Sequence, residues 1–384
     1  MSLKRVRALT RCGSPAPDRV SESFETEAIM SVTELWQQRM EALQIKRTVR
    51  ILALESSCDE TAAAIVENGR TLLSSVIFSQ VDVHALYGGV VPEIASRAHV
   101  DACDRVIDRA LAEANLSLTE IDALAVTYGP GLVGALLTGV SCMKGLSYAT
   151  GLPLIPVNHI EGHVSANYLS TPTLTPPFIC LVVSGGHSHL VRVEDYGQYT
   201  LMGQTVDDAA GEAFDKGARA LGIPYPGGPL LSKLAEGGDS AYLKLPKPNP
   251  EGRYDFSFSG LKTAFINACH KLEQNGEPLR KADLAASYQK AIVDSLCERT
   301  LLAVRESGLS TLCLAGGVSA NTRLRAQMAE LAHSEGFTLC MPELVLCTDN
   351  AAMIGSAAYY RLRRGELAGL ALNAVPSLAL IPTR

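Results

Sequence analysis

The sequence lacks the marks of several protein classes. It has no excess of positive charge: 34 Lys and Arg face 40 Asp and Glu, for a formal net charge of −6. That argues against a strongly basic nucleic-acid binder, though it allows a local basic patch or help from a partner. The ten cysteines contain no CxxC pair, and several, such as Cys180 and Cys313, sit in apolar strand-like runs where a free thiol behaves as a small hydrophobe. A reducing compartment is the simplest reading. No apolar run is long enough to span a membrane: Leu132–Val140 is interrupted by Gly134, Thr138 and Gly139, far short of roughly 20 residues. No secretory apolar core follows the N-terminus.

What remains is an enzyme-like composition. Hydrophobic residues make up 47% of the chain, aromatics only 5%, and there are 32 glycines. That mix suits largely parallel sheets covered by helices, with glycine at tight strand-to-helix turns. A chain of 384 residues exceeds one ordinary domain and is expected to form two lobes.

Residues 1–49 differ from the rest. Met1–Arg11 is basic and Ser14–Asp18 loop-like, but Asp18, Glu22, Glu25 and Glu27 follow, and a transit peptide normally lacks acids. The segment reads as an extension or a start-site artefact, with Met30 as an alternative start and a short helix over Val32–Leu43. A cytoplasmic location is expected, a mitochondrial one being the lesser alternative.

From Arg50 the pattern changes. Ile51–Glu55 reads as a buried strand, Ser56–Glu60 as a polar turn, and Thr61–Val66 and Leu72–Ser79 as return strands. A helix opened by Pro92 follows. Then come a strand at Ala123–Thr127, the Gly129-Pro130-Gly131 turn, a helix to Ala149 and a strand at Leu154–Val157. The second half restarts this order with strands at Phe178–Val183, His189–Val193 and Thr200–Gly203 and a helix over Asp207–Leu221. The offset is about 130 residues, a repeat of architecture and not of sequence. Two such lobes place their hairpin turns at a shared cleft. The expected division is 50–160 plus 355–384 for lobe I and 161–354 for lobe II.

The chemistry concentrates in a few segments. Asn158 can cap a helix in which His159 and His163, four apart, share one face and reach one metal. A pair of ordinary surface or core histidines is the alternative. A zincin would place glutamate next to the first histidine. Glu161 instead lies roughly 200° around the helix from His159, at the position of a capping box. A third, acidic ligand is expected, with Asp349 the candidate; its spacing alone fits the N-cap of the helix from Asn350 better.

Val182, Val183, Ser184, Gly185 and Gly186 leave a strand into a turn able to form an anion nest, or an ordinary β-turn. Gly316-Gly317 through Asn321 forms a second glycine turn at a strand-to-helix junction, where nucleotides bind in α/β folds. Asp207 and Asp208 fit the first turn of a helix. Asp215 could accept bonds from ribose hydroxyls, and Pro226-Gly227-Gly228-Pro229 reads as a rigid turn. Glu55, Asp59 and Glu60 surround the first hairpin turn and are either nucleotide–metal acids or solvated charges.

Together these segments resemble the tRNA N6-adenosine threonylcarbamoyltransferase (TsaD) family. The resemblance runs from Ile51 to the C-terminus. It rests on Glu55–Thr61, Gly88–Glu93, Gly129–Leu132, His159–His163, Val183–His187, Asp207–Lys216, Phe256–Lys262 and Gly316–Asn321. It implies an α/β, two-lobed actin/Hsp70/sugar-kinase-like (ASKHA) fold with duplicated RNase H-like lobes. It implies transfer of a threonylcarbamoyl group from threonylcarbamoyl-AMP to N6 of adenosine 37 in tRNAs reading ANN codons. His159, His163 and Asp349 would hold one divalent metal, Fe2+ first and Zn2+ second. Val182–Gly186, Asp215, Gly228 and Asn321 would hold the adenylate, and Asp59 and Glu60 are candidate bases. TsaB and TsaE would be partners, with TsaC or its homologue supplying the adenylate. Archaeal relatives place a tyrosine ligand where Val182 stands, so a bacterial-type protein is favoured. Two rival functions share parts of this pattern: a metalloprotease using the histidine pair, and a chaperone-like ATPase of the same fold.

Overall fold

The structure, a computed structural model, describes residues 34–381. Apolar runs that stay buried along their whole length build the central strands. β1 (Arg50–Glu55) is covered on both faces from Ile51 onward, and the polar residues after it turn the chain into β2 (Glu60–Glu67) and β3 (Thr71–Ser79). α2 (Val81–Ala85) and α3 (Pro92–Ala114) cross over to β4 (Ala123–Gly129). α4 (Val133–Thr150) leads to β5 (Leu154–Asn158), and α5 (His159–Ser170) follows without a break. The sheet order is β3-β2-β1-β4-β5, antiparallel on the hairpin side and parallel on the other.

The second half repeats this plan. β6 (Phe178–Val183), β7 (Ser188–Asp195) and β8 (Gln198–Gln204) form the antiparallel part. α6 (Ala210–Ala220), α7 (Gly227–Ala235), α8 (Ser259–Gln274) and α9 (Lys281–Ser307) then cross to β9 (Thr311–Ala315). α10 (Thr322–Glu335), β10 (Thr338–Cys340) and α11 (Ala351–Arg363) complete the plan. The order β8-β7-β6-β9-β10, with β9 and β10 parallel to β6, is the first sheet over again. The duplicated architecture expected from the sequence is present.

The two terminal helices are exchanged between sheets. α11, which ends the second repeat, packs Met353, Ile354, Ala357 and Leu362 into a core with Ile51, Ala53, Ala64 and Ile155 of the first sheet. α5, which ends the first repeat, packs Ile160, Val164 and Tyr168 against Phe178, Cys180, Val182 and Cys313 of the second. Small residues let the two helices touch. A Cβ on Gly162 would stand 2.7 Å from Ile354 Cδ1, and Ser356 Oγ donates to the Ser165 carbonyl at 3.1 Å. No helix among the described residues is long and apolar enough to cross a membrane.

The structure amends several local expectations. Residues 34–45 form a helix, α1; the expected start Val32 and the alternative start Met30 lie outside the described residues. Part of the N-terminal extension is therefore packed: Met40 and Leu43 join the first-sheet core and Trp36 is fully buried. Asp207 and Asp208 precede α6 instead of opening it. Asp207 accepts from the Phe258 and Ser259 amides and from the Ser257 and Ser259 hydroxyls at 2.6–3.2 Å, fixing the start of α8. Asp208 pairs with Lys262 at 2.5 Å and Lys216 at 3.3 Å. Pro226–Pro229 is the cap and first turn of α7, where a missing proline N–H costs nothing.

Glu161 also differs from expectation. Asn158 Oδ1 does cap α5, accepting from Ile160 and Glu161 amides at 2.8 and 3.4 Å. The Glu161 carboxylate completes no capping box, however; it pairs with Arg361 of α11 at 2.5 Å, tying the exchanged helices together. Burial pushes this carboxyl above its usual range in spite of the arginine. Arg361→Met would leave the buried charge with only the more distant Arg364, 3.8 Å away, at a cost of up to about 3–5 kcal/mol. Because the folded-state pKa then lies above the unfolded one, folding takes up a proton and stability falls as pH rises. Urea denaturation of this variant is expected to show a larger deficit at pH 8 than at pH 5.

Candidate metal centre in the interlobe cleft

β5 ends at Asn158, so the first turn of α5 projects from the C-terminal edge of the first sheet. His159 and His163 stand one turn apart there, with ring centroids 4.7 Å from one another. Asp349 arrives from the residue before α11. The cap of that helix is Asn350, whose Oδ1 accepts the Met353 amide at 2.9 Å, so Asp349 is free to point elsewhere. Its Oδ1 lies 3.5 Å from His159 Nε2 and 3.3 Å from His163 Nε2. One donor atom from each of the three residues lies within 4.8 Å of the others.

These residues suit a divalent cation. Both ring nitrogens of His163 are buried without an aligned hydrogen-bond partner, an arrangement costly unless something accepts the lone pair. The donor set of two imidazoles and one carboxylate fits iron or zinc. Without a cation the charges crowd. Burial opposes ionisation of His159, but Asp349 and Glu55 outweigh it and hold the imidazole at about 9. Burial and the neighbouring His159 charge keep His163 below its ordinary value. Asp349 is burdened by burial yet held well below the usual carboxylate range by His159 and His163.

The two glycine turns lie side by side, because β6 and β9 are adjacent and parallel, with Val182 opposite Ala315. Gly316 has φ +84°, and a Cβ there would meet the Val183 carbonyl at 2.4 Å; only glycine lets the turns approach this closely. The side chains of Val182 and Val183 point into the cores on opposite sheet faces, leaving only backbone to meet a ligand. Ser184 is buried, whereas Gly185 and Gly186 are exposed. The Ser184 and Gly185 carbonyls accept the Gly211 and Glu212 amides of α6 at 3.3 and 3.1 Å.

Asp215 Oδ1 accepts the Gly228 amide at 2.8 Å, joining α6 to the start of α7. Burial raises its carboxyl, while those amides pull it back. Asn321 caps α10 through Oδ1 and donates from Nδ2 to Gln289 at 2.7 Å and Ser232 at 3.2 Å. On the opposite lobe, Asp59 Oδ2 accepts the Tyr225 hydroxyl at 3.1 Å, a bond across the cleft. Glu60 is pushed to about 9 by burial and by the charges of Asp349 and Asp59. It therefore holds a proton at neutral pH, and a cation on Asp349 would offset part of that repulsion.

The family model for tRNA N6-adenosine threonylcarbamoyltransferase (TsaD) matches residues 71–356. A Clostridium botulinum protein of that name is 52% identical over 337 residues, 88% of this chain and 99% of that one. A namesake from Clostridium perfringens is 53% identical over 331 residues, covering 86% and 98%. The chain belongs to the tRNA N6-adenosine threonylcarbamoyltransferase family. Among solved structures, HypF from T. kodakarensis aligns with TM-score 0.57 at 14% identity, covering 85% of this chain and 49% of that one. Full-length HypF in its phosphate- and nucleotide-bound form aligns at 0.56 and 13% identity, covering 82% and 46%. These two show the fold alone, the two-lobed ASKHA type.

In this threonylcarbamoyltransferase family member, two residues escaped a definite role in the sequence. Glu55 is fully buried at the end of β1, and its Oε2 lies 3.2 Å from His159 Nδ1. The Thr127 hydroxyl donates to the same oxygen at 2.5 Å, and Ser57 Oγ lies 3.1 Å from the same ring nitrogen. This is the carboxylate–histidine pairing that orients a ligating imidazole. A glutamate closing an otherwise apolar strand is the only sequence signal for it. His187 follows the first glycine turn, and burial with the His189 and His159 charges pushes it down to about 3. It stands as a neutral imidazole close enough to feel the charges of His159, His163 and Asp349. Glu55→Gln keeps the shape but removes the charge behind His159. Titration calorimetry with Zn2+ is expected to show about 10–100-fold weaker binding, with the thermal midpoint of the metal-free protein little changed.

Proposed function

We propose that this transferase moves the threonylcarbamoyl group of threonylcarbamoyl-AMP to N6 of adenosine 37 in tRNAs reading ANN codons, with a metal, Fe2+ or Zn2+, in the cleft. The observation that carries this reading is the convergence of His159, His163 and Asp349 beside two adjacent glycine turns, in a chain of the threonylcarbamoyltransferase family.

His159, His163 and Asp349 would hold the cation, and Glu55 fixes the His159 tautomer with Nδ1 turned to the carboxylate. When bound there, the cation would supply Lewis acidity to the threonylcarbamoyl carbonyl. The exposed Gly185 and Gly186 backbone offers amides to the departing AMP phosphate, while Asp215 and the amides opening α7 face the ribose side. The exocyclic amine of adenosine is a poor nucleophile, so holding donor and acceptor in register across the cleft contributes much of the rate. Asp59 and Glu60 are the candidates for handling the proton that the amine loses, Glu60 only once a cation on Asp349 has lowered it enough to release its own proton. The protease alternative loses its base, since the Glu161 carboxylate is committed to Arg361 on the far side of α5.

The negative net charge favours sharing tRNA contact with partners. TsaB and TsaE fill that role in this proposal, and TsaC or its homologue supplies the adenylate.

The His159→Ala variant is expected to lose transfer to unmodified tRNA by several orders of magnitude while its circular dichroism and unfolding midpoint stay near wild type. Chelator-resistant turnover in that variant would remove the metal from the mechanism. Because His159 holds a proton up to about 9 without metal, metal uptake must displace it. Apparent metal affinity is expected to rise toward that pH, by about tenfold per unit. Calorimetry in buffers of differing ionisation enthalpy reads the proton release directly.

A further inference from the structure

The segment joining α2 to α3 has a fixed base and a bare tip. At its base His84 is buried, accepts the Val91 amide on Nδ1 at 3.3 Å, and gives its carbonyl to the Tyr87 and Gly89 amides at 3.0 and 3.2 Å. The Gln80 amide donates to the Asp59 carbonyl at 3.0 Å, tying the same segment to the first hairpin turn. Across the cleft, Arg219 Nη2 donates to the Gly88 carbonyl at 2.9 Å. Arg219 lies one turn beyond Asp215 on α6, so the tip borders the side of the cleft where the adenylate is proposed to lie.

The tip itself is apolar and unpartnered. Leu86 is 83% exposed and Tyr87 61%. Gly88 and Gly89 follow with φ +71° and +156°, and a Cβ on Gly88 would meet nothing within 4 Å. Exposed aromatics beside a cleft call for an explanation when only 5% of the chain is aromatic. The family's reaction supplies a fitting occupant. An adenine whose amine is to be acylated must leave its stack to enter the cleft. Bases displaced from RNA loops are commonly held on aromatic faces. In a protein of net charge −6, an aromatic contact would add to the phosphate attraction that a local basic patch or a partner supplies.

We infer that Tyr87, flanked by Leu86 and held on the glycine-hinged tip by Arg219 and His84, is a stacking platform for a nucleobase of the tRNA anticodon loop as the target adenosine enters the cleft. This rests on the tRNA-modifying role proposed above. Tyr87 is a positioning residue: it holds the acceptor and takes no part in bond making. The phenyl face carries the interaction, so Tyr87→Phe retains it and Tyr87→Ala does not.

The test uses the full chain with its partner proteins and an unmodified tRNA transcript, with 2-aminopurine at position 37 for the binding arm. Wild type and Tyr87→Phe are expected to quench the 2-aminopurine fluorescence on binding, and Tyr87→Ala to leave it bright. In steady state Tyr87→Ala is expected to raise KM for tRNA about tenfold or more, with a smaller change in kcat and none in KM for the adenylate. Unchanged tRNA KM and quenching in Tyr87→Ala would overturn the inference. So would an equal loss in Tyr87→Phe, or a tRNA defect explained by failed co-elution with the partner proteins, which would make the tip a protein contact. Absence of transfer by the wild type would sink the functional reading itself, whereas the quenching arm still judges Tyr87.

Discussion

The crossing of α5 and α11 is the constraint on which the rest depends. Each helix closes one repeat and packs on the sheet of the other, so neither sheet has a complete core alone. Gly162, Ser165 and Ser356 hold the helices close, and Glu161–Arg361 fixes their relative turn. The crossing brings two helix N-termini together. One carries His159 and His163; the other is preceded by Asp349. The spacing of the three donor atoms is thus set by core packing and not by a flexible loop, which is the usual requirement for a preorganised centre.

The electrostatics follow from the same arrangement. Two carboxylates, the buried Glu55 and the half-buried Asp349, flank His159 and hold a proton on it. A divalent cation held there would take the place of that proton and accept the one lone pair that His163 leaves without an aligned partner. The cluster also biases its surroundings, raising Glu60 and depressing His187. The cleft is therefore tuned as one unit, with the glycine turn after β6 on one side and the first hairpin of the other lobe facing it.

Much of this was legible in the sequence because it depends on local patterns. Unbroken apolar runs such as Ile51–Leu54 and Phe178–Val183 mark buried strands, and their repetition gave away the duplication. The i, i+4 histidines behind Asn158 needed only helical geometry. Elsewhere, partners far apart in the chain decided the outcome. Glu55 reaches His159 across 104 residues and Glu161 reaches Arg361 across 200, and no spacing rule predicts either. Asp207 resembled a helix-start acid but serves α8, 52 residues on. Asp349 fitted a cap better than a ligand by position; Asn350 takes the cap, which leaves the Asp349 carboxylate beside the two histidines. Pro226–Pro229 looked like a turn because proline in a first helical turn gives the same local signal. The N-terminal extension looked dispensable by composition, and only packing shows that Trp36, Met40 and Leu43 belong to the core.

The central claim is that two lobes assemble one metal-dependent transfer centre from His159, His163 and Asp349. Its most direct test is nucleoside mass spectrometry of tRNA from cells depleted of this protein and supplied with either wild type or Asp349→Ala. The account predicts that threonylcarbamoyladenosine disappears on depletion, returns with wild type, and stays absent with the variant although it accumulates as folded protein. Undiminished threonylcarbamoyladenosine after depletion, or full rescue by Asp349→Ala, would contradict it.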